Sequence, residues 1–230
     1  MALYAIGDLH LSFGTDKPMD VFGGGWLDYT EKIKEGFSKL KQDDVCILCG
    51  DISWGITLEQ CLPDFMFLSE LPGKKIILKG NHDYWWDTVT KMKSFFAQNS
   101  VENIDFLQNN CFFYEQTAIC GTRGWILEDE KDTEYHNKIM AREAGRLRLS
   151  LSAAGEAGEK LCFFHYPPRF RDVVCHDIVN VMKDFGVKSC WYGHLHGLGH
   201  RQATRGMTDG VDYHLVSADY LGFMPRQVLP

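Results

Sequence analysis

Apolar residues recur along this chain in short runs, and nearly every run stops at a glycine or a polar cluster. Residues 3–6, 45–49, 75–78, 161–164 and 189–192 are rich in Ile, Leu, Val, Cys and aromatic side chains, and each predicts a short buried strand. Over 27–40, Ile33, Phe37 and Leu40 fall on one side against Glu31, Lys32, Lys34, Glu35 and Lys39, so an amphipathic helix is predicted there despite Gly36. Further helices are predicted over 58–71, opening at Thr57 and interrupted near Pro63, over 87–98, and over 177–185. The first part of the chain thus alternates strand and helix, the pattern of parallel strands with helical crossovers.

The middle changes character. Residues 111–114 and 117–120 read as a hairpin around Glu115-Gln116, which adds antiparallel pairing and predicts a mixed sheet. After Gly121-Thr122-Arg123-Gly124-Trp125, the charged stretch 128–148 predicts an exposed helix, ending in a small-residue loop over 152–158. We read 121–158 as an excursion or partial lid within a single domain spanning 1–230. A last strand is predicted over 213–217, and 11–25 reads as a loop whose most flexible part is Gly23-Gly24-Gly25.

Composition narrows the class. The 230 residues are 45% hydrophobic, 24% charged and 13% aromatic, the balance of a soluble globular enzyme. A net charge of -7 argues against a general nucleic-acid binder; an acidic protein acting on phosphates needs local positive charge, which bound metal ions could supply. No apolar window approaches the ~18 residues of a membrane span, and residues 1–8 lack an export pattern, so a cytoplasmic protein is expected. The eight cysteines sit mostly inside apolar runs, as free thiols do in a reducing compartment. Cys46 and Cys49 form a CxxC, but residues three apart on a strand point to opposite faces, which argues against a redox or zinc role.

The chemistry gathers at the strand ends. The first strand stops at Gly7-Asp8-Leu9-His10, where persisting strand geometry would project Asp8 and His10 from one face. The others stop at Gly50-Asp51, at Gly80-Asn81-His82-Asp83, at His165, and at Gly193-His194-Leu195-His196. In open parallel sheets the site lies beyond the carboxyl ends of the strands. Asp8, His10, Asp51, Asn81, His165, His194 and His196 would therefore converge, with His82 beside them. Carboxylate, amide oxygen and imidazole without thiolate suit Mn, Fe or Zn, and seven ligands exceed what one tetrahedral zinc uses. The set matches two divalent ions sharing a carboxylate.

In this order, Asp-x-His, Gly-Asp, Gly-Asn-His-Asp, a lone His and Gly-His-x-His, the chain resembles the calcineurin-like metallophosphoesterases, as a bacterial-type phosphohydrolase. The resemblance spans residues 8–196. It implies an α/β fold, a double mixed β-sheet sandwich flanked by helices in four layers, αββα. It implies one metal held by Asp8, His10, Asp51 and His196 and a second by Asp51, Asn81, His165 and His194, with Asp51 bridging. It also implies cleavage of a phosphomonoester or phosphodiester by in-line attack of a bridging hydroxide. His82, not needed as a ligand, is then free to act as the acid facing the leaving oxygen, with Asp83 as a residue that could orient it.

Arg123 and Arg169 are candidates for binding substrate phosphate, with a solvated surface arginine as the competing account of each. Tyr84-Trp85-Trp86 and Trp54 lie beside the predicted site, where they either stack a nucleobase or aromatic leaving group or pack in the core. The expected partner is a small phosphorylated substrate such as a nucleotide, with no membrane. The alternative function is a non-catalytic scaffold or binding protein on the same fold, against which the complete ligand set speaks. A structural zinc module would use cysteines, and none of the clustered ligands is Cys.

Overall fold

In a computed structural model, which describes residues 1–125 and 133–230, the chain begins β1 (Leu3–Ile6), α1 (Tyr29–Phe37), β2 (Val45–Leu48), α2 (Leu58–Glu70), β3 (Lys74–Ile77), α3 (Val89–Gln98) and β4 (Ile104–Phe106). It continues β5 (Phe112–Tyr114), β6 (Thr117–Thr122), α4 (Thr133–Ala153), β7 (Glu159–Phe164), β8 (Arg169–Phe170), β9 (Val173–Val174), α5 (His176–Asp184), β10 (Ser189–Tyr192), β11 (Gly206–Thr208), β12 (Val211–Leu215) and β13 (Arg226–Leu229). Five strands form one sheet in the order β13-β1-β2-β3-β4, parallel except for β13. Six form the other, β11-β12-β10-β7-β6-β5, in which β11 and β5 are antiparallel edge strands around a parallel centre.

The alternation along each strand decides the layering. Leu3, Ala5, Ile47, Ile76 and Leu78 face Ile119, Leu161, Phe163, Trp191 and Val216 of the second sheet, a dry layer between the two. The other face of the first sheet takes α1, α2 and α3 through Ile33, Phe37, Phe65, Leu68, Met92 and Phe96. The outer face of the second takes α4 and α5 through Leu147, Leu151, Ile178, Val179 and Met182. The result is the expected helix–sheet–sheet–helix sandwich. Cys46 packs on the helical side and Cys49 between the sheets, so the CxxC faces two ways.

Several expectations shift for physical reasons. Pro63 does not interrupt α2: both it and Glu59, whose carbonyl loses its partner, are accessible to water, which replaces the missing bond, and Thr57 caps the helix by accepting from Gln60 N–H. Gly36 is tolerated in α1 because a Cβ there would lie 2.3 Å from the Phe223 carbonyl oxygen: the helix needs its close approach to the chain. The charged stretch expected from residue 128 begins outside the described residues, and from Thr133 it is one helix that runs on to Ala153, shortening the expected loop. Lys75 is wholly buried, its ammonium donating to the Leu71 carbonyl at the end of α2, and burial pulls its pKa down to about 8.

Removing a large side chain from the layer between the sheets leaves a cavity that neither sheet can close. Phe163→Ala should lower the unfolding free energy by ~3–5 kcal/mol in a urea titration.

Candidate metal centre

The two sheets meet at their carboxyl edges. Gly7 bridges to Ser217, its N–H donating to Val216 O at 2.7 Å and its carbonyl accepting from Ala218 N–H at 2.9 Å, which brings the ends of β1 and β12 together. Asp8, His10, Asp51 and His194 then all take left-handed backbone conformations, with φ of 59°, 47°, 52° and 70°. Asp8 and His10 do converge, but not by strand alternation: the strand has ended at Ile6, and two unfavourable backbone turns aim the side chains instead. Such geometry costs of order 1–3 kcal/mol per residue and persists only where the surroundings enforce it.

The seven expected residues come together. His10 Nε2 lies 3.3 Å from His196 Nε2, and Asp8 Oδ1 lies 3.7 Å from both His196 Nε2 and His165 Nδ1. Asp51 Oδ2 stands between the histidines, 3.8 Å from His10 Nε2 and 3.6 Å from His165 Nε2. Asn81 Oδ1 is 2.6 Å from His165 Nε2 and 3.0 Å from His194 Nδ1. Among the described residues, Asp8, His10 and His196 form one group with ligand atoms within 4.8 Å of each other, and Asp8, Asp51 and His165 a second.

Neighbouring groups fix the tautomers. His165 Nδ1 donates to the Cys49 carbonyl at 3.0 Å, which leaves its Nε2 lone pair facing the Asn81 oxygen. His196 Nδ1 donates to Asp219 Oδ1 at 2.9 Å and directs Nε2 at Asp8 and His10. Asp219 also accepts from Gly197 N–H and lies 3.2 Å from His200 Nε2.

Electrostatics show what the cluster lacks. Burial raises Asp8 to about 8 and drops His10 to about 3, and it holds His165 well below the ordinary imidazole range. Burial acts downward on His196 too, but its bond to Asp219 and the Asp8 and Asp219 charges outweigh that and lift it to about 9. The buried carboxylates of Asp8 and Asp51 have only histidines within ion-pairing reach among the described residues. Lone pairs of Asn81 and His165 face each other at 2.6 Å. Buried carboxylates facing only imidazoles, together with converging acceptors, are what bound cations would relieve, so the donor set fits divalent metal ions.

Asp83 departs from expectation. It is wholly buried and accepts from the backbone N–H groups of Gly80 (2.7 Å), Asp51 (2.9 Å) and Ile52 (2.8 Å) and from the Trp85 indole at 3.1 Å. Its oxygens are committed to these donors rather than to the His82 ring, so it braces the two loops and does not orient that imidazole. Gly80 is needed for room: a Cβ would lie 2.1 Å from Asp51 Oδ1 and 2.2 Å from Asp51 N. Gly193 is held by the same constraint, since its Cβ would meet Asp8 Oδ2 at 2.4 Å.

A cavity of about 420 Å³ opens over the cluster, lined on one side by His10, Asp51, His82, His194, His196 and Asp219 and on the other by Met19, Phe22, Trp26 and Trp54. His82 donates its backbone N–H to Asp51 Oδ1 at 2.8 Å, and its ring Nδ1 is buried without a hydrogen-bond partner; burial lowers its pKa. Trp54 stacks on His10 with ring centroids 4.9 Å apart. Trp85 belongs to the core, and Tyr84 is exposed. Trp54 was expected beside the site, whereas Asp219 and the rest of the apolar wall escaped the sequence reading. Asp219 had a signal, a carboxylate just past a predicted strand; Met19, Phe22 and Trp26 had none, because the segment after β1 acquires its apolar face only by folding over the site. Arg169 pairs with Asp209 and does not line this cavity. Arg123 does not line it either.

Fold and site together define a four-layer sandwich with an imidazole–carboxylate centre at the joined strand ends. The chain belongs to the calcineurin-like phosphoesterase family, whose family model matches residues 1–198. Among solved structures it is similar to the phosphopantetheinyl hydrolase PptH from Mycobacterium tuberculosis, at 14% identity and a TM-score of 0.57, covering 100% of this chain and 96% of that one. It is similar also to AQ665 from Aquifex aeolicus, a protein of unknown function, at 15% identity and a TM-score of 0.54 over 98% and 95% of the two chains. TT1561 of Thermus thermophilus gives 16% identity and a TM-score of 0.55 over 84% and 81%. At these identities the likeness establishes the fold. No protein with a curated description matches the sequence. No helix among the described residues is long and apolar enough to cross a membrane.

Asp83→Ala would leave four donors without their acceptor, each costing ~1–3 kcal/mol when buried. The variant should lose stability in a thermal melt, and metal content measured by elemental analysis should fall with it.

Proposed function

We propose that this chain is a metal-dependent phosphohydrolase that cleaves a small phosphomonoester or phosphodiester. The observation that carries this is the convergence of Asp8, Asp51 and four imidazoles in a buried cluster, with a further imidazole, His82, on the wall of the cavity above it. Two divalent ions, Mn, Fe or Zn, would be held by Asp8, His10, Asp51 and His196 and by Asp51, Asn81, His165 and His194. The position of Asp51 between His10 and His165 supports the bridging role. When bound, such ions lower the pKa of a water and offset charge on the phosphoryl oxygens.

The chain's own groups do the rest. His165 and His196 present unprotonated Nε2 atoms only while Cys49 O and Asp219 hold their Nδ1 protons, so Asp219 is a positioning residue. His82 lines the cavity without belonging to either group of ligand atoms, and as the acid facing the leaving oxygen it would supply a proton there. The cavity volume lies within the range of small-molecule sites. Its wall of Met19, Phe22, Trp26 and Trp54 excludes water from one side and favours a substrate whose leaving group is apolar or aromatic, a nucleotide among them. The free, mostly buried cysteines suit a reducing cytoplasm. A non-catalytic scaffold would have no use for a complete donor set with buried partners for its imidazoles.

Metal-reconstituted protein should hydrolyse an aryl phosphate monoester or diester, and absence of turnover with every divalent ion would refute the proposal. His82→Ala should keep both ions and lose ~10²–10⁴ in kcat; an unchanged kcat removes it from the mechanism. In metal titrations, Asp51→Asn should weaken both ions, whereas Asp219→Asn should weaken affinity ~10–100-fold at the His196 side alone. Equal loss of both ions in the Asp219 variant would contradict its positioning role.

A further inference from the structure

A second, smaller cavity of about 90 Å³ shares no lining residue with the first. Lys79 enters it from the segment after β3, Gln108 and Asn109 from the segment after β4, Thr122 and Arg123 from the end of β6, and Arg146 from α4. Three cationic side chains therefore surround one small space.

Among the described residues two carboxylates, Glu143 and Asp83, act on Lys79; Asp83 already accepts from four N–H groups, and Glu143 is the one that meets the guanidinium groups. It accepts from the Thr122 hydroxyl at 2.6 Å and from Arg146 Nη1 at 2.5 Å, and Arg123 Nη2 stands 3.9 Å away. The Nε of Arg123 is buried without a hydrogen-bond partner, an unusual state for a guanidinium N–H. Gln108 accepts the Trp86 indole N–H on its side-chain oxygen at 3.0 Å, so its amide nitrogen remains a donor. Among the described residues three cationic side chains thus meet two carboxylates, so donors and positive charge remain in excess.

We infer that this cavity is a binding site for one compact tetrahedral oxyanion of the phosphate type, held by Lys79, Arg123, Arg146 and Gln108. Guanidinium groups match such an anion in geometry and charge. The space suits a phosphoryl group. The site is also tied to the metal centre through the backbone: the Arg123 carbonyl accepts from His165 N–H at 3.2 Å and Tyr166 N–H at 2.9 Å, and Lys79 lies just before Asn81 in the chain. The anion could be free phosphate or a second phosphoryl group on a substrate, and the chemistry is the same.

The full chain is titrated with inorganic phosphate by calorimetry, as loaded with metal and again after chelation. The loaded protein should give two binding events; chelation should remove one, and Lys79→Met should weaken the other at least tenfold. Lys79→Met leaves the Glu143 contacts intact, so it decides the matter even if Arg123→Gln or Arg146→Gln unfolds the protein. No saturable event in the chelated, folded chain, or one that Lys79→Met leaves unchanged, overturns the site. Binding needs no turnover, so this failure is distinct from failure of the hydrolase proposal. Where the event is present, a KM raised by Lys79→Met only for an ester carrying a second phosphate assigns the anion to substrate. Phosphate-dependent modulation of kcat that the variant abolishes assigns it to free phosphate.

Discussion

The constraint on which the site depends is the contact between two strand-end loops that leave no room for a Cβ. Gly80 lies against the backbone and carboxylate of Asp51, and Gly50 against Gly80, where an added Cβ would fall 2.7 Å from the Gly80 Cα. Asp83 fastens the contact by accepting from Gly80, Asp51 and Ile52 together. This places the Asp51 side chain where His82 N–H can hold one oxygen, leaving the other between His10 and His165. The strained φ of Asp8, His10, Asp51 and His194 is sustained by the same close packing, with the dry layer between the sheets beneath it.

That rigidity has an electrostatic consequence. Asp8 and Asp51 cannot swing out to solvent, so the free energy of burying them must be relieved in place. Without a cation the cluster can respond only by taking up protons, which is the meaning of an Asp8 raised by burial to about 8 and of a His196 lifted to about 9 by its carboxylate neighbours. On the proposed reading, a bound ion would take over the role of those protons. Asp219 is paired with the outer nitrogen of His196, which aims the imidazole inward.

Much of this was legible in the sequence, because each ligand stands directly after an apolar run and the C-terminal edge of a parallel sheet is one place. The apolar runs predicted a mixed sheet, and the four layers came from the family resemblance. What stayed hidden depends on tertiary contact. Asp83 reads as a member of a polar cluster, but only the loop it faces reveals that its oxygens are spent on backbone amides. β4 is three residues long, with Asp105 answering Lys74 and Lys93, and β13 carries Arg226 and Gln227 at an edge, so neither gives a periodic signal.

The two cavities divide the strand-end surface by chemistry. Over the metal centre, charge is negative and imidazole-rich, and the facing wall from the loop after β1 is apolar. Beyond Asn81, at the ends of β3, β4 and β6, three cationic side chains outnumber the carboxylates near them among the described residues, Glu143 pairing with Arg146. On the readings proposed above, the first would take a phosphoester with an apolar leaving group and the second a compact anion. The sheets impose this order: the parallel strands deliver carboxylates and imidazoles to the joined edge, and α4, packed on the outer face of the second sheet, brings Glu143 and Arg146 to its flank. An acidic protein thereby keeps a localised positive site beside a negative one, with the backbone of residues 79–81 running from one to the other.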